Sequence, residues 1–182
     1  MIERLEIPEV WVYTPRSFED ERGAFCETFN RKVLAPELGD LLFVQDNEVA
    51  TKARGTLRGM HFQSAPKAQD KLVRVLRGSI FDVAIDLRRA SATFGQWVSA
   101  TLSSEDRRQI FVPKGFAHGY LTLEPGTVVL YKVTDFYSPA HEGGVAFDDP
   151  TIGIEWPIPV DEIVAADRDR KFSGLVELAA VF

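Results

Sequence analysis

The chain has a single cysteine, Cys26, among its 182 residues. No internal disulfide can form, so the fold must hold by packing and hydrogen bonding, as expected of a protein in a reducing cytoplasm. Histidine is also scarce, with only His61, His118 and His141. Scattered imidazoles without paired ligands make a poor transition-metal site, and no metal is expected. Positive charge does not dominate: 21 Lys and Arg stand against 27 Asp and Glu, a net charge of −6. That balance argues against nucleic-acid binding and leaves any anion site to a few placed arginines. Long apolar runs are missing too. Nothing approaches the roughly 20 residues of a membrane span, and MIERLEIPEV has no apolar stretch of leader length, so a cytoplasmic protein is expected.

What is present is an ordinary globular composition, 45% hydrophobic and 26% charged. The length suggests one domain over residues 1–182. Residues 1–50 read as an arm with edge strands, 51–150 as the core, and 151–182 as a helical or irregular C-terminal segment. Apolar residues recur with a period of two over 72–76, 80–86, 96–102 and 127–134, with shorter runs at 10–13, 108–112 and 120–123. Turn signals separate them: Arg77-Gly78, Phe94-Gly95, Lys114-Gly115 and Pro125-Gly126. Many short strands at this spacing predict an all-β sandwich or small barrel. Residues 24–29 read as a strand with Phe25, Glu27 and Phe29 on one face. A short helix is expected over 30–39, capped by Asn30 although Pro36 interrupts it. Residues 161–171 are the only later helical candidate, and the apolar tail 175–182 is expected to pack on a partner.

The stretch Arg58 to Arg77 holds His61 and, ten residues on, Lys71 at the start of a strand-like run. A histidine suits a general base because its pKa lies near neutrality, and a lysine suits a developing anion. Spacing alone favours a hydrogen-bonded core histidine and a solvated lysine. Tyr131 shares a strand face with Val129 and Val133, which by itself describes a core tyrosine.

Pro113-Lys-Gly-Phe-Ala-His118 resembles the second sequence motif of the cupin jelly rolls. The first motif position offers only His61-Phe62-Gln63, so two of the ligands of metal-binding cupins are missing. Further blocks, in order, are Asp20-Glu-Arg-Gly23, Glu27-Thr-Phe-Asn30, Val44-Gln-Asp-Asn47, Leu57-Arg-Gly-Met-His-Phe-Gln63, Lys71-Leu-Val-Arg74, Phe81-Asp-Val-Ala-Ile-Asp86, Tyr131-Lys-Val-Thr-Asp-Phe-Tyr137 and Gly153-Ile-Glu-Trp-Pro157. From about residue 3 to about residue 171 the chain resembles the dTDP-4-dehydrorhamnose 3,5-epimerases.

That resemblance implies a cupin-type jelly roll with an N-terminal strand arm and a few short helices. It also implies a homodimer and a cofactor-free pocket. The implied substrate is a dTDP-4-keto-6-deoxyhexose, inverted at C3 and C5 on the way to dTDP-L-rhamnose. His61 would be the base, Lys71 the cation at the enolate oxygen, and Tyr131 the acid on the opposite face. A one-residue insertion aligns Asp169 with the carboxylate that orients the base and Arg168 with the lysine before it; Asp167 is the alternative. Arg22 and Arg58 resemble diphosphate contacts, Tyr137 the residue stacked on thymine, and Gln45 and Asn47 its polar contacts. Glu27, His118, Glu142 and Arg168 resemble other substrate contacts. Two readings stay open beside this one: an epimerase of a single carbon, and a sugar-nucleotide-binding cupin without catalysis.

Overall fold

The computed structural model describes all 182 residues. Thirteen strands, numbered in chain order, form two main antiparallel sheets and a hairpin. The six-stranded sheet runs Ile2–Arg4 (β1), Trp11–Tyr13 (β2), Gln109–Val112 (β10), Lys71–Arg77 (β7), Thr127–Val133 (β12) and Gln45–Thr51 (β5). The five-stranded sheet runs Glu142–Gly144 (β13), Leu57–Gln63 (β6), Phe116–Thr122 (β11), Ser79–Asp86 (β8) and Trp97–Ser103 (β9). Ser17–Asp20 (β3) and Gly23–Cys26 (β4) pair only with each other. No helix is long and apolar enough to cross a membrane.

The strand period sorts side chains into layers. Val73, Val75, Val129, Ile110 and Val112 from one sheet meet Ile80, Ala84, Phe116 and Tyr120 from the other to form the central core. Positions of the same parity carry Lys71, Tyr131, Asp82 and His118 inward as well, so the polar cluster continues the apolar rows. Residues 80–86 are therefore buried on both faces. Phe81, Val83 and Ile85 look outward, while Asp82, 0% exposed, looks in.

Each outer face has its own cover. The helix Arg31–Leu38 (α1) lays Leu34 and Leu38 over Trp11, Tyr13, Leu72 and Phe111. Asn30 caps it as expected, accepting from the Lys32 and Val33 amides, and Gly39 ends it. Pro36 lies inside and removes one backbone donor, a loss that an eight-residue helix packed on a sheet absorbs. On the other side, Leu175, Leu178, Val181 and Phe182 pack against Phe62, Val83 and Leu121. The Phe62 and Phe182 rings meet edge to face at 5.9 Å. The apolar tail thus packs in part on its own chain, with Leu175 buried and Val176 78% exposed.

Two local readings are corrected. Strand β4 stops at Cys26, because its only neighbour, β3, begins at Ser17 opposite it. Glu27 therefore shares no strand face with Phe25, and it accepts instead from Asn30 Nδ2 at 2.9 Å. Residues 161–171 are not one helix but 3-10 turns at Val160–Glu162 and Asp169–Lys171. Between them Val164 is drawn into a bridge beside Thr56, bonding the Gly55 and Leu57 backbone at 2.9 and 2.8 Å. That pairing outcompetes a helix of weak local propensity.

Strands β6 and β11, which carry His61 and His118, approach closely where their register shifts between His118 and Tyr120. A Cβ on Gly119 would lie 2.6 Å from Met60 Sδ and 2.8 Å from Gly59 Cα. Gly59 itself sits at φ +154°. Glycine is required at both positions so that the two strands can bring His61 and His118 side by side.

Candidate active site

One end of the sandwich opens into a cavity of about 250 Å³ lined by His61, Gln63, Gln69, Lys71, Tyr131, Tyr137, Glu142 and Arg168. It adjoins a second space of about 160 Å³, which shares His61, Lys71, Tyr131 and Arg168 and adds Arg58, His118 and Tyr120. Residues from both sheets and from the C-terminal segment thus meet around His61.

His61 Nε2 lies 2.8 Å from Asp169 Oδ1. Asp169 is 3% exposed and starts one of the 3-10 turns that replaced the expected helix. Burial alone would raise its carboxyl. The His61 hydrogen bond and charge, the Gly59 backbone N–H and Arg168 outweigh that and hold it below the usual carboxylate range. Asp167 is exposed and makes no such bond. The edge of the Phe172 ring meets His61 at 5.7 Å. Gly144, opposite His61 in register, leaves room for that ring, since a Cβ there would overlap it.

Lys71 is half-buried, with Nζ 3.5 Å from the His61 carbonyl oxygen. Burial pushes its ammonium down to about 8, against the pull of Asp82 and Glu142. Burial likewise pushes the Tyr131 phenol up, with Arg58 pulling the other way. His118 pairs through Nε2 with both Asp82 oxygens at 3.0 Å, and burial holds its pKa down against that pairing.

The mouth is a second network. Arg168 grips Glu142 with two bonds of 3.1 Å, and the Tyr137 hydroxyl donates to Glu142 Oε2 at 2.8 Å. Tyr137 is 53% exposed. Its backbone N–H donates to Gln45 Oε1 at 3.2 Å, and Gln45 Nε2 donates to Asn47 Oδ1 at 2.8 Å. Asn47 faces Tyr131 across β5 and β12. Arg58 Nε donates to Thr51 Oγ1 at 3.2 Å.

Eleven of the thirteen residues named from the sequence are thus gathered in or directly beside one cavity. The other two are Arg22 and Glu27. Arg22 stands on the β3–β4 hairpin, paired with Asp20 at 2.6 Å, and Glu27 is turned to the helix cap. Sequence reasoning missed Asp82, Gln63, Gln69, Phe172 and Tyr120. For Asp82 a signal existed: a carboxylate in phase with Ile80 and Ala84 must face the core. Phe172 and Gly144 are joined to His61 only through the fold.

The family model described as dTDP-4-dehydrorhamnose 3,5-epimerase matches residues 4–177. Two curated relatives of that name are each 48% identical to this chain. The one from Methanothermobacter thermautotrophicus aligns over 91% of this chain and 89% of its own length. The one from Sinorhizobium fredii aligns over 98% and 91%. Among solved structures, the dTDP-6-deoxy-D-glucose-3,5-epimerase of Legionella pneumophila, in complex with dTDP-4-keto-L-rhamnose, superposes with a TM-score of 0.94. It is 41% identical, over 99% of this chain and 95% of that one. On the strength of fold, site and these matches together, the chain belongs to the dTDP-4-dehydrorhamnose 3,5-epimerase family, isomerases built on a cupin-type jelly roll.

Proposed function

We propose that the protein converts dTDP-4-dehydro-6-deoxy-D-glucose to dTDP-4-dehydro-L-rhamnose by inverting C3 and C5, in dTDP-L-rhamnose biosynthesis. The observation that carries this reading is a histidine oriented by a buried aspartate and facing a cavity shared with a lysine and a half-buried phenol.

Asp169 accepts the Nε2 hydrogen of His61, which leaves the lone pair on Nδ1. That lone pair takes the proton from the carbon beside the C4 ketone. The C–H electron pair moves onto the ketone oxygen as an enolate, opposite the Lys71 ammonium. Tyr131, kept protonated by burial, returns a proton to the same carbon from the other face. Proton transfers alone complete each inversion, so the steps call for no redox partner. Arg58 and Arg168 suit the diphosphate, since guanidinium forks match phosphate oxygens. Tyr137, half-exposed at the mouth, suits the thymine, with Gln45 and Asn47 beside it. Glu142 and His118 complete the substrate wall.

Turnover in heavy water by the purified protein is expected to leave deuterium at both C3 and C5. Label at one carbon only would identify a single-carbon epimerase. Label at neither would reduce the protein to a sugar-nucleotide binder. A second expectation concerns pH. The Lys71 cation serves the enolate only while protonated, and its pKa of about 8 lies inside the working range. The value of kcat/KM should therefore fall roughly tenfold per pH unit above about 8. A plateau continuing to pH 10 would remove the Lys71 charge from the rate-limiting step.

The protein is inferred to act as a homodimer in the cytoplasm. Phe18 and Phe25, 48% and 67% exposed, stand on the hairpin that carries Arg22. Arg22 and Glu27 resemble substrate contacts yet line neither cavity of their own chain. A second copy laid against the hairpin would cover the phenylalanines and carry Arg22 to a cavity. The free Cys26 suits a reducing compartment.

A further inference from the structure

Tyr120 forms part of the cavity wall but has no part in the steps above. It is 4% exposed, and its hydroxyl oxygen is sealed from solvent without a hydrogen-bond partner. Only one other buried side-chain atom, Arg74 Nε, is left in that condition. Buried hydroxyls are nearly always bonded, and phenylalanine would fill the same space without desolvating an oxygen. An unsatisfied phenol in a binding cavity therefore points to an acceptor that arrives with the ligand.

The neighbours narrow the choice. Tyr120 lies in register between Asp82 on β8 and Arg58 on β6. Both are engaged, since Asp82 holds His118 and Arg58 Nε donates to Thr51. The space that Tyr120 lines contains His61, Lys71 and Tyr131 together with Arg58 and Arg168, and it does not reach Tyr137 at the mouth. Tyr120 thus belongs to the part of the cavity shared with the proposed base, cation and acid, away from the thymine end at Tyr137. Burial drives its pKa upward, although Arg58 opposes this, so the group remains a neutral donor.

We propose that Tyr120 is a further substrate-binding residue, whose hydroxyl donates a hydrogen bond to an oxygen of the hexose ring. The inference rests on the reading that this cavity takes a dTDP-linked hexose.

The test is Tyr120→Phe, which removes one oxygen and no carbon. Binding of dTDP-L-rhamnose and of dTDP alone is measured by calorimetry for the variant and the parent. Affinity for dTDP-L-rhamnose should drop about tenfold, while dTDP stays within twofold. The melting temperature should not fall, because no folded-state bond is lost. Unchanged dTDP-L-rhamnose affinity would overturn the proposal. So would an equal loss for dTDP, which would move the contact to the diphosphate. A lowered melting temperature would overturn it too, by showing that the hydroxyl serves the fold through a bound water. The proposed function is judged separately, on deuterium incorporation by the unmodified protein, so the two ideas fail on different measurements.

Discussion

Replacing His61 by asparagine is expected to lower kcat by about 10³–10⁴-fold and to leave dTDP affinity within a few-fold. The contrast follows from where His61 stands. Its ring lines the part of the cavity shared with Lys71 and Tyr131, whereas Tyr137, which suits the thymine, sits at the mouth bonded to Glu142 and Gln45. Asparagine is smaller, but its amide can still donate to Asp169, so the buried carboxylate keeps a partner and the fold is spared. What disappears is the imidazole that takes the proton in the proposed mechanism. Incorporation of solvent deuterium should vanish at both carbons in parallel. A variant that retains turnover within tenfold of the parent would remove His61 from the chemistry and take the proposed mechanism with it.

The second large effect is expected from Asp169→Asn, with a loss in kcat of about 10²–10⁴-fold. Asp169 works through His61. Accepting the Nε2 hydrogen at 2.8 Å, it keeps the lone pair on Nδ1, the nitrogen that takes the proton in the proposed mechanism. An asparagine amide can present its NH2 there, which stabilises the opposite tautomer and aims a hydrogen at the substrate. The imidazolium formed after proton abstraction would also lose a carboxylate that Arg168 and Gly59 hold ionised. Two controls separate this from a structural effect. The double variant His61→Asn with Asp169→Asn should be no slower than His61→Asn alone, because the pair acts as a unit. Asp167→Asn should stay within twofold of the parent, since that exposed side chain touches nothing in the site. Additive losses in the double variant would show that Asp169 acts independently of the base.

Both effects depend on packing around His61 that is easy to overlook. The Phe172 edge holds the ring from one side, and the glycines at 59, 119 and 144 bring the surrounding backbone close enough to confine it. His61 thus stands on strands locked by their neighbours, which favours a single ring orientation over a mobile one.

Period-two hydrophobicity made the two-sheet sandwich legible, because alternation along a strand is a local property. It also placed Tyr131 correctly beside Val129 and Val133. The Asn30 cap was readable for the same reason: capping involves only neighbours in the chain. The reading weakened wherever a distant segment decided the outcome. A helix over 161–171 was reasonable by local pattern, but Thr56 and Leu57 claimed Val164, and only the resulting turn sets Asp169 against His61, 108 residues away. The packing of Leu175 and Phe182 on Phe62, Val83 and Leu121 was hidden for the same reason, since those partners lie far back in the chain.

Residue types and their order were enough to predict an all-β chain without disulfides, and the family resemblance, not the local pattern, singled out His61, Lys71 and Tyr131. Which carboxylate serves the base, which side chains share its cavity, and that Arg22 and Glu27 stand apart from it were decided only in three dimensions. Hydrogen bonds between residues remote in sequence form only where the sheets bring them together, and nothing in the local pattern encodes that meeting.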